Sequence, residues 1–194
     1  MRLDHAEDLA QFVEELKRET DRGLPLVGAA LIDEKLLETL QSFFVEGKSS
    51  KKLLTEGNSP LGTFSSKIEA CYALGLIDEF EYQEISLIRK VRNEFAHAKH
   101  GLSFQTDKIK GFCSSLKSDL PEGSGYPVND PRFRFTNAIV CVVLRLYYRP
   151  AWGEKERREP KSWVTSDATM WRSVKDELPP EGMPVIVMAK GESK

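Results

Sequence analysis

Residues 78–97 carry the stretch DEFEYQEISLIRKVRNEFAH, whose pattern is typical of a long amphipathic helix. Asp78 is followed three residues later by Glu81, which is the capping-box pattern with Asp in place of Ser or Thr. Beyond this start, the apolar residues that recur at helical spacing are Ile85, Ile88, Val91 and Phe95. The pattern predicts a helix with one buried stripe that continues to Ala98 and is stopped at Gly101.

Five other segments show a helical pattern of apolar residues. The first of them begins at Leu9. The other four span Leu24–Phe44, Phe64–Leu74, about Asp107–Leu116, and the stretch from Asp130-Pro131 through Tyr147. The segment from Leu24 is apolar over much of its circumference, which predicts the central helix of the fold. Ile139–Val143 is β-branched and could form a buried strand, but the helix start at Pro131 favours a helix. The fold class is therefore predicted to be all-α, a compact bundle of about six helices.

The remaining segments predict loops and a division into domains. Gly47–Gly62 is rich in Gly, Ser, Lys and Asn, which indicates a loop. Residues 149–169 are rich in Pro and mixed charges, which indicates a charged linker after a helical domain of residues 1–148. Residues 170–194 contain a turn and the strand-like Pro184–Ala189. This C-terminal extension is short for a core of its own, so we interpret it as a partial module or tail.

Composition and charge restrict the classes of function. Of the 194 residues, 40% are hydrophobic and 30% charged, which are globular values, and no apolar run is long enough for a membrane span. The acidic N-terminus lacks the features of a secretory signal, which predicts a cytoplasmic protein. A net charge of -2 gives no overall attraction to a phosphate backbone, so sequence-specific DNA binding is disfavoured.

The cysteines indicate neither disulfides nor a metal site. Cys71, Cys113 and Cys141 lie far apart in the sequence, each among apolar residues, and lack the paired spacing of zinc ligands. We interpret all three as reduced core residues, and we expect no metal and no cofactor.

The segment from Arg92 to His97 holds the best candidates for a functional site. A helix turns by about 100° per residue, so Asn93 lies within about 40° of both Arg89 and His97 on one polar edge. Arg92 and His97 differ by about 140°, so they cannot stand side by side on an ideal helix. Both could serve one site only if the helix end frays or if a second copy of the chain contributes its own pair.

Two interpretations of this segment remain open. A neutral His97 imidazole could accept the proton of a ribose 2′-hydroxyl while the Arg92 guanidinium stabilises charge on the phosphate and Asn93 orients the imidazole. That combination would cleave RNA without a metal, and DNA would not be a substrate. The structural alternative is that Arg92 and His97 are cations favoured by the helix dipole near a C-terminus.

Three ordered motifs give a resemblance to a known family. Residues 58–68 (NSPLGTFSSKI), 72–77 (YALGLI) and 88–97 (IRKVRNEFAH) resemble the mannitol operon repressor (MltR-like) family, over roughly residues 26–147. That family looks like a branch of the HEPN-type helical domains, whose hallmark of Arg, a polar residue, a spacer and His is matched by Arg92, Asn93 and His97. The resemblance implies a compact helical bundle that is commonly a homodimer.

The resemblance also implies two functions. The first is a transcriptional regulator that acts as a non-enzymatic module through a protein partner, because the chain has no recognisable helix-turn-helix. The alternative is a HEPN-type metal-independent ribonuclease, as in toxin or defence systems, with Arg92, Asn93 and His97 assembled across a dimer and RNA as substrate. Residues 171–187 resemble the opening of a small phage-associated domain of unknown function.

Overall fold

In this computed structural model of the protein, the described residues are 3–120 and 125–161, and only the backbone is described at residues 3–9. Within them the chain forms eight α-helices and no strand, which confirms the all-α class. The helices are α1 Leu3–Arg18, α2 Gly23–Phe43, α3 Lys48–Leu54, α4 Phe64–Ala73, α5 Glu79–His97, α6 Asp107–Ser114, α7 Pro131–Tyr147 and α8 Arg149–Lys155.

Local sequence signals start three of these helices. Asp78 accepts a hydrogen bond from the Glu81 backbone N–H at 2.8 Å, and the Glu81 carboxylate accepts one from the Asp78 N–H at 3.0 Å, so the predicted capping box of α5 is present. Thr63 caps α4 in a similar reciprocal arrangement with Ser66. Asp130 caps α7, which has proline in its first turn. The region around Ile139 is therefore helical, as predicted.

Two segments differ from the sequence prediction. Lys48–Leu54 lies in the predicted loop but forms α3, of which only Leu54 is buried. Arg149–Lys155 lies in the predicted linker but forms α8, which packs on α2. The buried residue of α8 is Gly153, so this helix has no apolar stripe that periodicity could reveal. The helical unit extends to Glu159, whereas the linker and the C-terminal module themselves remain predictions.

α2 is the central helix, as predicted, and it runs parallel to α7 and α8. A methyl group added at Gly28 would collide with Ile139 of α7, and one added at Gly153 of α8 would collide with Ser42. Between these points, the Lys35 ammonium lies 5.3 Å from the centre of the Tyr147 ring. These contacts advance toward the C-terminus by the same number of residues on α2 as on α7 and α8. α8 therefore continues the direction of α7 alongside α2.

The core contains the predicted stripe of α5. Ile85, Ile88, Val91 and Phe95 are at most 1% exposed. The Phe95 ring lies 5.2 Å from that of Phe104, which lies 5.5 Å from the ring of Phe135 in α7. This aromatic row joins α5, the loop after it and α7 into one core.

One buried charge on α5 fixes the chain after α6. The Glu84 carboxylate is 1% exposed and accepts hydrogen bonds from the backbone N–H groups of Lys117 at 2.7 Å and Ser118 at 3.2 Å. It also accepts one from the Ser118 hydroxyl at 2.5 Å. Since a buried carboxylate needs such partners, these bonds hold the segment from Lys117 to Ser118 against α5.

The interpretation of all three cysteines as core residues is wrong for one of them. All three are free thiols, and Cys71 and Cys113 are fully buried. Cys141 is only partly buried, because it lies on the side of α7 that faces the loop at Asp119. Burial raises the pKa of the Cys71 and Cys113 thiols to about 12.

No helix in the described part of the chain is long and apolar enough to cross a membrane. The strand-like pattern at residues 184–189 and the resemblance of residues 171–187 lie outside the described residues.

The close approach of α2 and α7 gives a first testable prediction. Gly28→Ala should destabilise the protein by about 1–2 kcal/mol, because overpacking against Ile139 at about 1–3 kcal/mol exceeds the gain in helix propensity of about 0.5–1 kcal/mol. The free energy of unfolding, measured in urea, checks this.

Gly111 in α6 is the matched control for Gly28, because a methyl group there meets no atom within 4 Å. Gly111→Ala should therefore stabilise the protein by about 0.5–1 kcal/mol. In an Ile139→Val background, which lacks the Cδ1 atom, the penalty of Gly28→Ala should shrink. If Gly28→Ala and Gly111→Ala changed the free energy of unfolding equally, the close packing of Gly28 against Ile139 would be contradicted.

Thiol reactivity tests the cysteine environments. In the folded protein at pH 8, one thiol, Cys141, should react with an aromatic disulfide reagent, and more slowly than a free cysteine because burial also raises its pKa. Cys71 and Cys113 should react only after urea is added. A Cys141→Ser variant should show no reactive thiol in the folded state; three thiols reacting together in the folded wild type would refute the assignment.

Candidate functional site

The candidate site lies where α5 ends. Residues Glu79–His97 are helical, and the chain leaves the helix at Ala98, whose backbone is extended with φ -66° and ψ 128°. The Ala98 N–H still donates to the Glu94 carbonyl at 3.0 Å. Arg92, Asn93 and His97 therefore occupy the last two turns of a regular helix, and no frayed end brings Arg92 and His97 together.

The structure joins two of the predicted site residues and separates the third. The Arg92 guanidinium donates to the Asn93 side-chain oxygen at 3.0 Å, and both residues are half-buried. His97 is exposed and makes no hydrogen bond or ion pair within residues 3–120 and 125–161. Within one chain, Asn93 therefore holds the guanidinium and does not orient the imidazole.

Arg89 lies on the polar edge, one turn before Asn93, and is half-buried. Tyr82 lies two turns before Arg89, on the same side of α5. The Glu69 carboxylate, which accepts a hydrogen bond from the Tyr82 hydroxyl at 3.1 Å, raises the pKa of that phenol, and the charge of Arg89 opposes the shift. The edge therefore passes from the Glu69 carboxylate beside Tyr82 to the exposed imidazole of His97.

Arg22 is a member of the site that sequence reasoning missed. Its guanidinium donates to the Ala96 carbonyl at 3.4 Å, so it caps the C-terminus of α5 beside His97. The two residues are 74 positions apart, and Arg22 lies in the turn between α1 and α2, where no local pattern marks it. Only the tertiary packing of that turn on α5 brings Arg22 to the site.

The turn that carries Arg22 is held from α7. Arg132 pairs with Asp21 at 2.6 Å and also donates to the Glu19 carbonyl. Asp21 in turn accepts a hydrogen bond from the Phe104 N–H at 3.4 Å, and the Arg132 guanidinium lies 5.8 Å from the centre of the Phe104 ring. These contacts position the α1–α2 turn, and with it Arg22, against the loop that follows α5.

This arrangement provides cations for binding an anionic group but not an assembled pair for general acid–base catalysis. Two guanidiniums, of Arg22 and Arg92, and the exposed imidazole of His97 lie around the last turns of α5. Guanidinium groups suit carboxylates and phosphates. The described residues contain no group of three or more His, Cys, Asp and Glu side chains that could hold a metal ion.

Comparison with known proteins places these observations in a family. The family model described as "Mannitol repressor" matches residues 9–124. Mannitol operon repressors from Escherichia coli strain K12 and strain O6:H1 CFT073 are each 34% identical to this chain over 58 residues, which are 30% of this chain and 30% of theirs. The aligned part of the chain thus spans under a third of the length of these curated relatives.

A solved structure shares the fold. A chain of the X-ray structure of the MtlR–HPr complex from Escherichia coli superposes on this protein with a TM-score of 0.50 and 23% identity, over 75% of this chain and 98% of that one. Because the family model covers more than half of the 194 residues, the chain belongs to the mannitol repressor family.

Proposed function

We propose that the protein is a transcriptional regulator of the mannitol-repressor type that acts by binding a protein partner and has no enzymatic activity. Membership of the mannitol repressor family carries this proposal. The structure that shares its fold was solved as a complex with HPr, which supports a protein partner, and HPr is the partner we propose for this chain. A regulator of transcription acts in the cytoplasm, where we place the protein.

The candidate site is consistent with binding rather than catalysis. The Arg92 guanidinium is held by Asn93, and the His97 imidazole has no partner in the part of the chain that the structure describes. A catalytic imidazole is typically oriented by a further side chain, and no side chain in the described residues bonds to His97.

Direct recognition of DNA is not part of the proposal. The arginines of the α7–α8 region are used within the fold: Arg149 pairs with Glu81, Arg157 pairs with Glu46, and Arg145 lies over the Phe80 ring at 4.6 Å. With a net charge of -2, the chain has no surplus of cations for a phosphate backbone. Regulation through a partner protein needs no such surplus.

Binding to HPr tests the proposal directly. We predict that the full chain and HPr, taken from the host of this protein and from Escherichia coli, form a complex that elutes early in size-exclusion chromatography. The same mixture should give saturable heat in titration calorimetry. Ubiquitin, a globular protein without a regulatory link to the family, is the control. If neither HPr gives a complex or binding heat, the proposed partner is wrong.

The ribonuclease alternative predicts that the protein cleaves RNA, so a cleavage assay distinguishes it from the non-enzymatic proposal. We predict that neither the wild type nor His97→Ala cleaves RNA in EDTA above the background of a mock purification. His100→Ala is the matched control, because His100 is also exposed but lies outside the motif. If the wild type and His100→Ala cut RNA and His97→Ala does not, the non-enzymatic proposal fails.

A ribonuclease site would also require two copies of the chain, because Arg92 and His97 lie about 140° apart on one helix. The homodimer implied by the family resemblance remains a prediction, and light scattering of the purified full chain measures it. A monomer at working concentration would remove the remaining basis for catalysis across a dimer.

A further inference from the structure

The bond between Arg92 and Asn93 leaves hydrogen-bond donors free near the end of α5. The Arg92 guanidinium donates to the Asn93 side-chain oxygen at 3.0 Å. Because a guanidinium only donates, it must face the oxygen of the Asn93 amide, and the NH2 group of that amide points elsewhere. This NH2 group has no hydrogen-bond partner within residues 3–120 and 125–161. Asn93 therefore presents two free donors beside the guanidinium.

Helix geometry places two further donors next to Asn93. Arg89 lies four residues before Asn93 and His97 four residues after it, a spacing at which Cβ atoms are about 5–6 Å apart. Helical side chains lean over the preceding turn, so His97 leans toward Asn93, and Asn93 leans toward Arg89. Arg92 starts about 140° from His97, but its bond brings the guanidinium to Asn93. We call these four residues, Arg89, Arg92, Asn93 and His97, the donor edge.

The donor edge carries two positive charges that no carboxylate pairs with. Neither Arg89 nor Arg92 forms an ion pair in the part of the chain that the structure describes. The carboxylate on the same turns of α5 belongs to Glu94, which lies about 100° around the helix from Asn93. Its charge is compensated by Lys108, whose ammonium lies 2.8 Å from it. The edge therefore lacks its own counter-charge.

The Glu69 carboxylate of α4 does not supply that counter-charge. It is bound by the Tyr82 hydroxyl at 3.1 Å. Tyr82 lies seven residues before Arg89 and eleven before Asn93, which is about 10 and 16 Å along the helix axis. Since the Debye length at physiological salt is about 8 Å, most of the effect of Glu69 on the donor edge is screened.

The charges around the end of α5 leave its surroundings positive. The Glu19 carboxylate lies against the backbone beside Arg22, which donates to the Ala96 carbonyl. Arg22 and Glu19 together therefore add little net charge, and Arg22 is not counted in the donor edge. Lys90 and Lys99 are exposed and form no ion pair within residues 3–120 and 125–161.

We propose that the donor edge binds a phosphomonoester, in preference to a carboxylate or a phosphodiester. A phosphomonoester has three terminal oxygens and a charge of about -1.5 to -2 at neutral pH. These match the two arginines and the donors of Asn93 and His97, since guanidinium and amide N–H groups bind phosphate oxygens. A carboxylate or a phosphodiester carries one charge on two oxygens, so some of the donors would remain unused. The inference goes beyond the proposed function and is independent of the protein partner.

The proposed ligand differs from a nucleic acid. The backbone phosphates of DNA and RNA are diesters, and a nucleic acid is held by cations that are spread over several of them. The donor edge instead gathers its donors between Arg89 and His97, within about 12 Å of helix. A terminal phosphoryl group can reach this exposed edge on a small molecule or on a phosphorylated side chain of another protein.

Nuclear magnetic resonance of the labelled full chain tests the proposal with methyl phosphate as the probe. At pH 7.5 and constant ionic strength, the Asn93 side-chain NH2 and the Arg92 Nε–H signals should shift and saturate. Dimethyl phosphate and acetate, as diester and carboxylate probes, should bind at least about fivefold more weakly. The side-chain amide of Gln11, an exposed residue of α1, is the internal control and should not shift.

Two variants separate hydrogen bonding from general electrostatic attraction. Asn93→Ala removes two donors without changing the charge, and Arg92→Lys keeps the charge but removes the guanidinium; each should weaken methyl phosphate binding by about threefold or more. Lys52→Ala is the control, because it removes a charge from α3, which packs on α2, and it should bind within about twofold of the wild type. Thermal unfolding followed by circular dichroism confirms that each variant is folded.

A peptide with one phosphoserine among uncharged residues distinguishes the two sources of the phosphoryl group. Affinity about tenfold or more above that of methyl phosphate indicates a phosphorylated protein, and equal affinity indicates a small phosphomonoester. The proposal is overturned if methyl phosphate gives no saturable shift at Asn93 or if dimethyl phosphate binds as tightly. It is also overturned if folded Asn93→Ala binds as tightly as Lys52→Ala. Because HPr is absent from these titrations, failure of the proposed function would leave the phosphomonoester site untouched.

Discussion

The close packing of α2 against α7 and α8 is the constraint on which the rest of the structure depends. Gly28 lets α2 approach Ile139, and Gly153 lets α8 approach Ser42, so that two glycines near opposite ends set the distance between the helices. Because α8 is kept in line with α7, Arg149 reaches the α4–α5 turn and forms its pair with Glu81. A side chain at Gly28 would press on Ile139 and tend to move α7 outward, whereas at Gly153 the nearest atom is the Ser42 hydroxyl, which can turn away.

Most of the helices could be predicted from the sequence because each shows a full apolar stripe or a start signal. α5 has both, with its stripe from Ile85 to Phe95 and its cap at Asp78, and α7 has an Asp-Pro start that decides between helix and strand. α3 and α8 could not be predicted in the same way. α8 buries a glycine and is fixed by charged side chains, and neither feature gives a periodic signal.

The candidate site could be predicted only where a single helix determines its geometry. Arg89, Asn93 and His97 share an edge because their spacing on α5 requires it, and the separation of Arg92 from His97 follows from the same rule. The contact of Arg22 with the Ala96 carbonyl depends on the α1–α2 turn, which Arg132 holds from α7. Such contacts join distant parts of the chain, and composition and spacing carry no information about them.

The positions of the arginines determine which carboxylates near the start of α5 form an ion pair in the part of the chain that the structure describes. Arg149 pairs with the buried Glu81, and the exposed Arg145 lies over the Phe80 ring, so neither arginine pairs with Glu69 or Glu79. Arg22 and Arg92 lie at the opposite end of α5, whereas Lys155 lies over the Trp152 ring at 4.8 Å. Since α5 has 19 residues and a helix rises about 1.5 Å per residue, the two ends are separated by more than two Debye lengths of about 8 Å at physiological salt. A charge at one end of α5 therefore has little electrostatic influence on a group at the other end.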